Sequence, residues 1–110
     1  MPTLDLPPDY LADVRHLLAS HVPAAEVWAY GSRINGRAHE GSDLDLVVRN
    51  PEDLGRPQRD LWELREAFSE SEIPILVEVF DWARIPEEFR REIARAHVVI
   101  WKGANPSPLS

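Results

Sequence analysis

Two aspartates one residue apart, Asp43 and Asp45, stand ten residues after a Gly31-Ser32 pair in the stretch AYGSRINGRAHEGSDLDLVV. On an extended strand alternate side chains share a face, so these two carboxylates project together, about 7 Å apart by strand rise. Leu44 and Leu46 then point the other way, into a core. Two adjacent carboxylates repel, and a divalent cation removes that cost. Mg²⁺ suits such a site, since it takes oxygen ligands and is held by one or two carboxylates plus substrate phosphates. Upstream, a strand that ends in Gly-Ser offers backbone N–H groups and a hydroxyl with no bulky side chain in the way. The stretch therefore reads as phosphates at Gly31 and Ser32 and metal at Asp43 and Asp45. An Asp-x-Asp on a strand is common by chance, and Gly-Ser is ordinary turn chemistry. The signal is their combination with Arg33, Gly36 and Ser42.

The elements that position these residues follow from periodicity. Residues 7–21 predict a helix, opened by Pro7 and Pro8, with Leu11, Val14, Leu17, Leu18 and His21 on one face and Pro23 ending it. EVWAY, 26–30, is a short β-branched and aromatic strand. Residues 33–38 predict a helical turn or loop, and 43–49 a second strand. A breaker-rich loop leads to a helix over 57–71, with Leu61, Leu64 and Phe68 inward. ILVEVFDW, 75–82, is a strand, and Trp28 and Trp82 are expected on strands in the core or an interface. A helix over 86–96 turns Ile85, Phe89 and Ile93 inward, and 98–101 is a last strand. The fold class expected is α/β (α+β): a small mixed sheet of about four strands with helices packed against it.

A chain of 110 residues is expected to form one domain over 1–104, followed by a flexible tail at 105–110. There is no cysteine, which excludes disulfides and thiolate zinc sites. The first residues lack the basic and apolar regions of a signal peptide, and no apolar run approaches the roughly 20 residues that span a bilayer. A soluble, cytoplasmic protein without membrane contact is expected. The net charge of −7 lacks the basic footprint of a nucleic-acid binder and argues for a small charged ligand or a protein partner. The four histidines show no shared ligand spacing; His39 lies in the arm before Asp43 as a solvated residue or a neighbour of the ligand.

GSRINGRAHEGSDLDLVV resembles the signature of the minimal nucleotidyltransferases, a branch of the DNA polymerase β superfamily. Gly31, Ser32, Arg33, Gly36, Ser42, Asp43 and Asp45 all match its pattern, and the order of elements fits over most of the chain. The resemblance implies a nucleotidyltransferase core that moves a nucleoside monophosphate, AMP from ATP or another NTP, to a hydroxyl. Gly31, Ser32, Arg33 and Ser42 would bind the nucleotide, with Arg37 an alternative to Arg33. Asp43 and Asp45 would hold Mg²⁺ or Mn²⁺. The family carries a third carboxylate on a later strand, usually Asp between valines. Here the matching text is LVEVFDW, so Glu78 takes that catalytic and metal-binding slot, while Asp81 caps the next segment. Glu is one methylene longer, which could weaken activity.

The chain is nearly all core, so a partner is expected to supply the acceptor. Stand-alone relatives resemble the antitoxin half of toxin–antitoxin modules whose other half is a helical HEPN-domain RNase silenced by AMP on a tyrosine. Two further readings remain open at this stage. One is a catalytically weak module that neutralises its partner by docking. The other is a catalytic subunit of a small-molecule modifier such as an aminoglycoside adenylyltransferase.

Overall fold

In the computed structural model, residues 2–103 are described. The predicted tail at 105–110 lies outside them. Helix α1 spans Pro8–His21, strand β1 Glu26–Tyr30, and strand β2 Leu44–Arg49. Helix α2 spans Leu61–Glu70, strand β3 Val77–Asp81, helix α3 Glu87–Arg95, and strand β4 Val98–Lys102. Short 3-10 turns cover Gly31–Ile34 and Trp82–Arg84. The strands form one mixed sheet in the order β3-β2-β1-β4. β1 is antiparallel to both β2 and β4, while β2 and β3 run parallel. A parallel pair needs a crossover between its strands, and α2 supplies it.

Strand alternation divides the sheet into two faces. Val27, Ala29, Leu44, Leu46, Val48, Val77 and Val79 pack against Val14 and Leu18 of α1 and Leu61, Leu64 and Phe68 of α2. Trp28, Tyr30 and Val47 face the other way, under Trp82, Ile85, Phe89 and Ile93. Fully burying one such aliphatic or aromatic side chain contributes about 1.5–3 kcal/mol, so both layers hold the sheet in place. On the α3 side the Trp28 ring stacks on His97 at 3.7 Å, and the Arg49 guanidinium lies 3.8 Å from the Trp28 centroid. Among the described residues no helix is long and apolar enough to cross a membrane.

The structure moves two expected boundaries and turns one predicted inward residue outward. α2 begins at Leu61 rather than residue 57, because the Gln58 N–H donates to Asp81 Oδ2 at 2.9 Å and Asp60 takes a left-handed turn at φ 53°. β3 ends at Asp81, whose side chain accepts from the Ala83 N–H and opens the 3-10 turn. Trp82 is therefore buried in that turn rather than on a strand. His21 of the predicted apolar face of α1 is exposed.

Candidate active site

β1 and β2 pair so that Tyr30 stands opposite Asp45, and β2 and β3 pair so that Asp45 stands opposite Glu78. One row thus crosses three strands: Tyr30, Asp45, Glu78. The row sits at one end of the sheet, on the face that α3 covers. Asp45 is half-buried and Glu78 exposed, while Asp43, one residue before β2, is exposed. None of the three carboxylates has an ion-pair partner among the described residues. Asp45 consequently holds its proton up to about 6 instead of the ordinary 3.8. Burial is the largest cause, followed by the charges of Glu78 and Asp43 and a hydrogen bond to Glu78.

Tyr30 belongs to this row but carries no signal in the motif. Its ring is buried, and its hydroxyl has no hydrogen-bond partner among the described residues. Burial, then Asp45 and Glu78, push its phenol above the ordinary range. Alternation alone puts residue 30 on the Asp45 side once the register is known; the register is what the sequence does not print.

Gly31 follows with φ +81°, a conformation that favours glycine. A Cβ there would sit 2.5 Å from Asp45 Oδ2. The close approach that this glycine permits is therefore that of the Asp45 carboxylate. Ser32 is half-buried at the start of the same 3-10 turn, and its hydroxyl has no protein partner among the described residues.

Arg33 departs from the expected phosphate contact. It is buried, and its guanidinium donates to backbone carbonyls: Nε and Nη2 to Ser42 O at 3.2 and 2.8 Å, Nη2 to Glu40 O at 3.1 Å, and Nη1 to Asp5 O at 3.1 Å. A planar fork with fixed donors suits this bracing, which a lysine cannot reproduce. Ser42 is buried too, and its hydroxyl accepts from the His39 N–H at 2.9 Å. Both residues hold the arm that delivers Asp43 to β2. Arg37 is exposed, and its side chain makes no hydrogen bond among the described residues. Arg33→Ala leaves the buried Ser42 carbonyl and the part-buried Glu40 and Asp5 carbonyls unpaired, so a loss of about 2–4 kcal/mol is expected. Thermal unfolding should show a fall in Tm above about 8 °C, at about 4–8 °C per kcal/mol for a domain near this size.

The donor set of the row is oxygen only, concentrated, and without a compensating cation, which fits a hard divalent ion. Among the described residues no group of three His, Cys, Asp or Glu is gathered tightly enough to hold an ion alone. Asp43, Asp45 and Glu78 thus do not form a closed three-carboxylate cage. Mg²⁺ does not require one, because substrate phosphates complete its shell. A cavity of about 400 Å³ lined by His21, Pro23, Asn50 and Arg59 lies at the opposite end of β1 and β2 and includes none of these residues.

A mixed sheet with a Gly-Ser turn after one strand and paired carboxylates on the next two is the frame of a nucleotidyl-transfer domain. The family model described as polymerase beta, nucleotidyltransferase matches residues 13–105. The chain belongs to that family and is a nucleotidyltransferase. It is 45% identical over 97 residues to the probable protein adenylyltransferase MntA of Haemophilus influenzae, across 88% of this chain and 83% of that protein. Its fold is similar to a crystal structure of a toxin–antitoxin with AMP-PNP, with TM-score 0.68 and 19% identity over 90% of this chain and 78% of that one. It is also similar to the toxin–antitoxin MntA–HepT, with TM-score 0.61 and 15% identity over 94% and 79%.

Proposed function

We propose that this nucleotidyltransferase moves AMP from ATP to a tyrosine hydroxyl of a HEPN-type toxin and so acts as the antitoxin of a two-protein module. The observation that carries this reading is the pairing of Asp45 with Glu78 across β2 and β3, with Gly31 against Asp45. The adenylyltransferase name of the bacterial relative and the toxin–antitoxin assemblies among similar folds support the acceptor and the module.

Asp43 and Asp45 would hold a divalent cation, Mg²⁺ or Mn²⁺, which when bound neutralises phosphate charge and orients the α-phosphate. The Ser32 hydroxyl and the N–H groups of the turn at Gly31–Ile34 hold the terminal phosphates, and exposed Arg37 reaches them in place of Arg33. Glu78 accepts the proton of the attacking hydroxyl. The acceptor oxygen bonds to the α-phosphorus as the bond to the bridging oxygen breaks. Pyrophosphate leaves with that electron pair.

A second reading is neutralisation by docking alone, favoured by the longer Glu78 and by the lack of a closed three-carboxylate cage. Co-expression with the product of the adjacent reading frame, tested as the toxin, separates the two. Under the transfer reading, growth is restored by the wild type and not by Asp45→Asn. Equal rescue by both proteins would establish docking.

A further inference from the structure

The row Tyr30–Asp45–Glu78 has two unlike sides. On one, following the end of β1 and against Asp45, lies the Gly31-Ser32 turn. On the other lies β3, the edge of the sheet. In nucleotidyl transfer the attacking and leaving oxygens are roughly in line across phosphorus. With Glu78 on β3 as the base for the acceptor hydroxyl, that hydroxyl arrives over β3.

The surface it meets there is apolar. Leu76 and Phe80 flank Glu78 at two-residue spacing and share its face, and they are 58% and 37% exposed. They are among the five exposed large hydrophobics of the described residues. The Phe80 ring meets Phe89 edge-on at 6.0 Å, and Phe89 meets Tyr30 edge-on at 5.6 Å. A short aromatic shelf therefore runs beside the carboxylates from the sheet edge inward. The backbone of that edge is not open for strand addition, because Arg65 Nε and Nη2 donate to Val79 O at 2.9 and 2.8 Å. A partner must engage the shelf with side chains.

We infer that Leu76, Phe80 and Phe89 form the acceptor-docking surface, and that its occupant is a basic segment of a partner protein carrying a tyrosine flanked by apolar residues. This inference rests on the transfer reading above. The aromatic shelf favours a ring-bearing acceptor, because edge-to-face contacts between rings add stabilisation beyond area burial. The charge follows from complementarity: the chain carries −7, and Glu78, outside the cation pair of Asp43 and Asp45, has no ion-pair partner among the described residues.

Steady-state AMP transfer to the purified product of the adjacent reading frame tests this, using the full chain with Leu76→Ser and, separately, Phe80→Leu. Leu76 is exposed enough that its variant should fold, and Phe80→Leu keeps an apolar side chain while removing the ring. The expected result is a KM for the partner raised about tenfold for each variant. The KM for ATP and kcat at saturating partner stay within about twofold, and the wild-type KM for the partner rises with salt. An unchanged partner KM in both variants would overturn the docking surface and leave the transfer reading intact. A partner KM indifferent to salt would overturn the basic segment. Absence of transfer by the wild type would overturn the transfer reading and this inference with it.

Discussion

Asp45→Asn is expected to reduce nucleotidyl transfer at least about a thousandfold while making the folded protein more stable above neutral pH. Both effects come from one geometry. Asp45 is the middle member of the row, paired to Tyr30 on one side and to Glu78 on the other. Its amide counterpart keeps the shape but loses the charge that would hold a cation and the α-phosphate in register. The stability effect has the opposite sign. The folded chain raises the Asp45 carboxyl from 3.8 to about 6, so the proton is held more tightly folded than unfolded. The resulting stabilisation is fully present below about pH 4 and is lost as pH rises through 6. Above that, the wild type bears a cost that the amide does not. After allowance for solvent screening of a half-exposed group, the gain for Asp45→Asn at pH 8 should be about 1 kcal/mol, or a few degrees in Tm. It should vanish near pH 4. Mg²⁺ with nucleotide should raise the Tm of the wild type and not that of the variant. Thermal unfolding across pH, with and without Mg²⁺ and AMP-PNP, checks all three expectations. A variant destabilised at pH 8 would show that Asp45 is held by favourable contacts rather than against repulsion.

Gly31→Ala should cost at least about a hundredfold in transfer, and Gly36→Ala almost nothing. The two glycines adopt nearly the same backbone, φ +81° and +79°, so an added methyl meets the same left-handed strain at each, about 1–2 kcal/mol. Their surroundings differ. At Gly31 the methyl falls 2.5 Å from Asp45 Oδ2, with Asp45 Cγ at 3.4 Å, whereas at Gly36 nothing lies within 4 Å. The clash must push either the carboxylate or the turn, and displacing a reacting group by about 1 Å costs on the order of a hundredfold. Comparing kcat and Tm of the two variants separates strain, which they share, from displacement, which belongs to Gly31. Equal losses in both would mean that glycine is needed only for its φ.

The placement of the candidate site was legible because its parts are local. Gly31-Ser32 ends a strand, Asp43 and Asp45 bracket the start of another, and alternation places Asp45 away from Leu44 and Leu46 and Glu78 away from Val77 and Val79. The capping role of Asp81 was legible too, from its place at a strand end. What escaped depends on contacts between distant segments. An arginine after Gly-Ser reads as a phosphate ligand, but Arg33 is spent on the carbonyls of Ser42, Glu40 and Asp5. Nothing in the sequence distinguishes an oxygen of phosphate from one of the backbone. The late start of α2 depends on Asp81 taking the Gln58 N–H across 23 residues. Tyr30 became a member of the site only through the β1–β2 register.

The proposed activity of the row from Tyr30 to Glu78 is transfer of a nucleotide to a protein hydroxyl. Intact-mass analysis tests it most directly: the purified chain is incubated with Mg²⁺, ATP and the product of the adjacent reading frame, and pyrophosphate is measured in the same tubes. The expected result is a mass gain of one AMP on the partner, matched by one pyrophosphate per partner and absent with Asp45→Asn. A tight complex that forms without mass gain or pyrophosphate would contradict it.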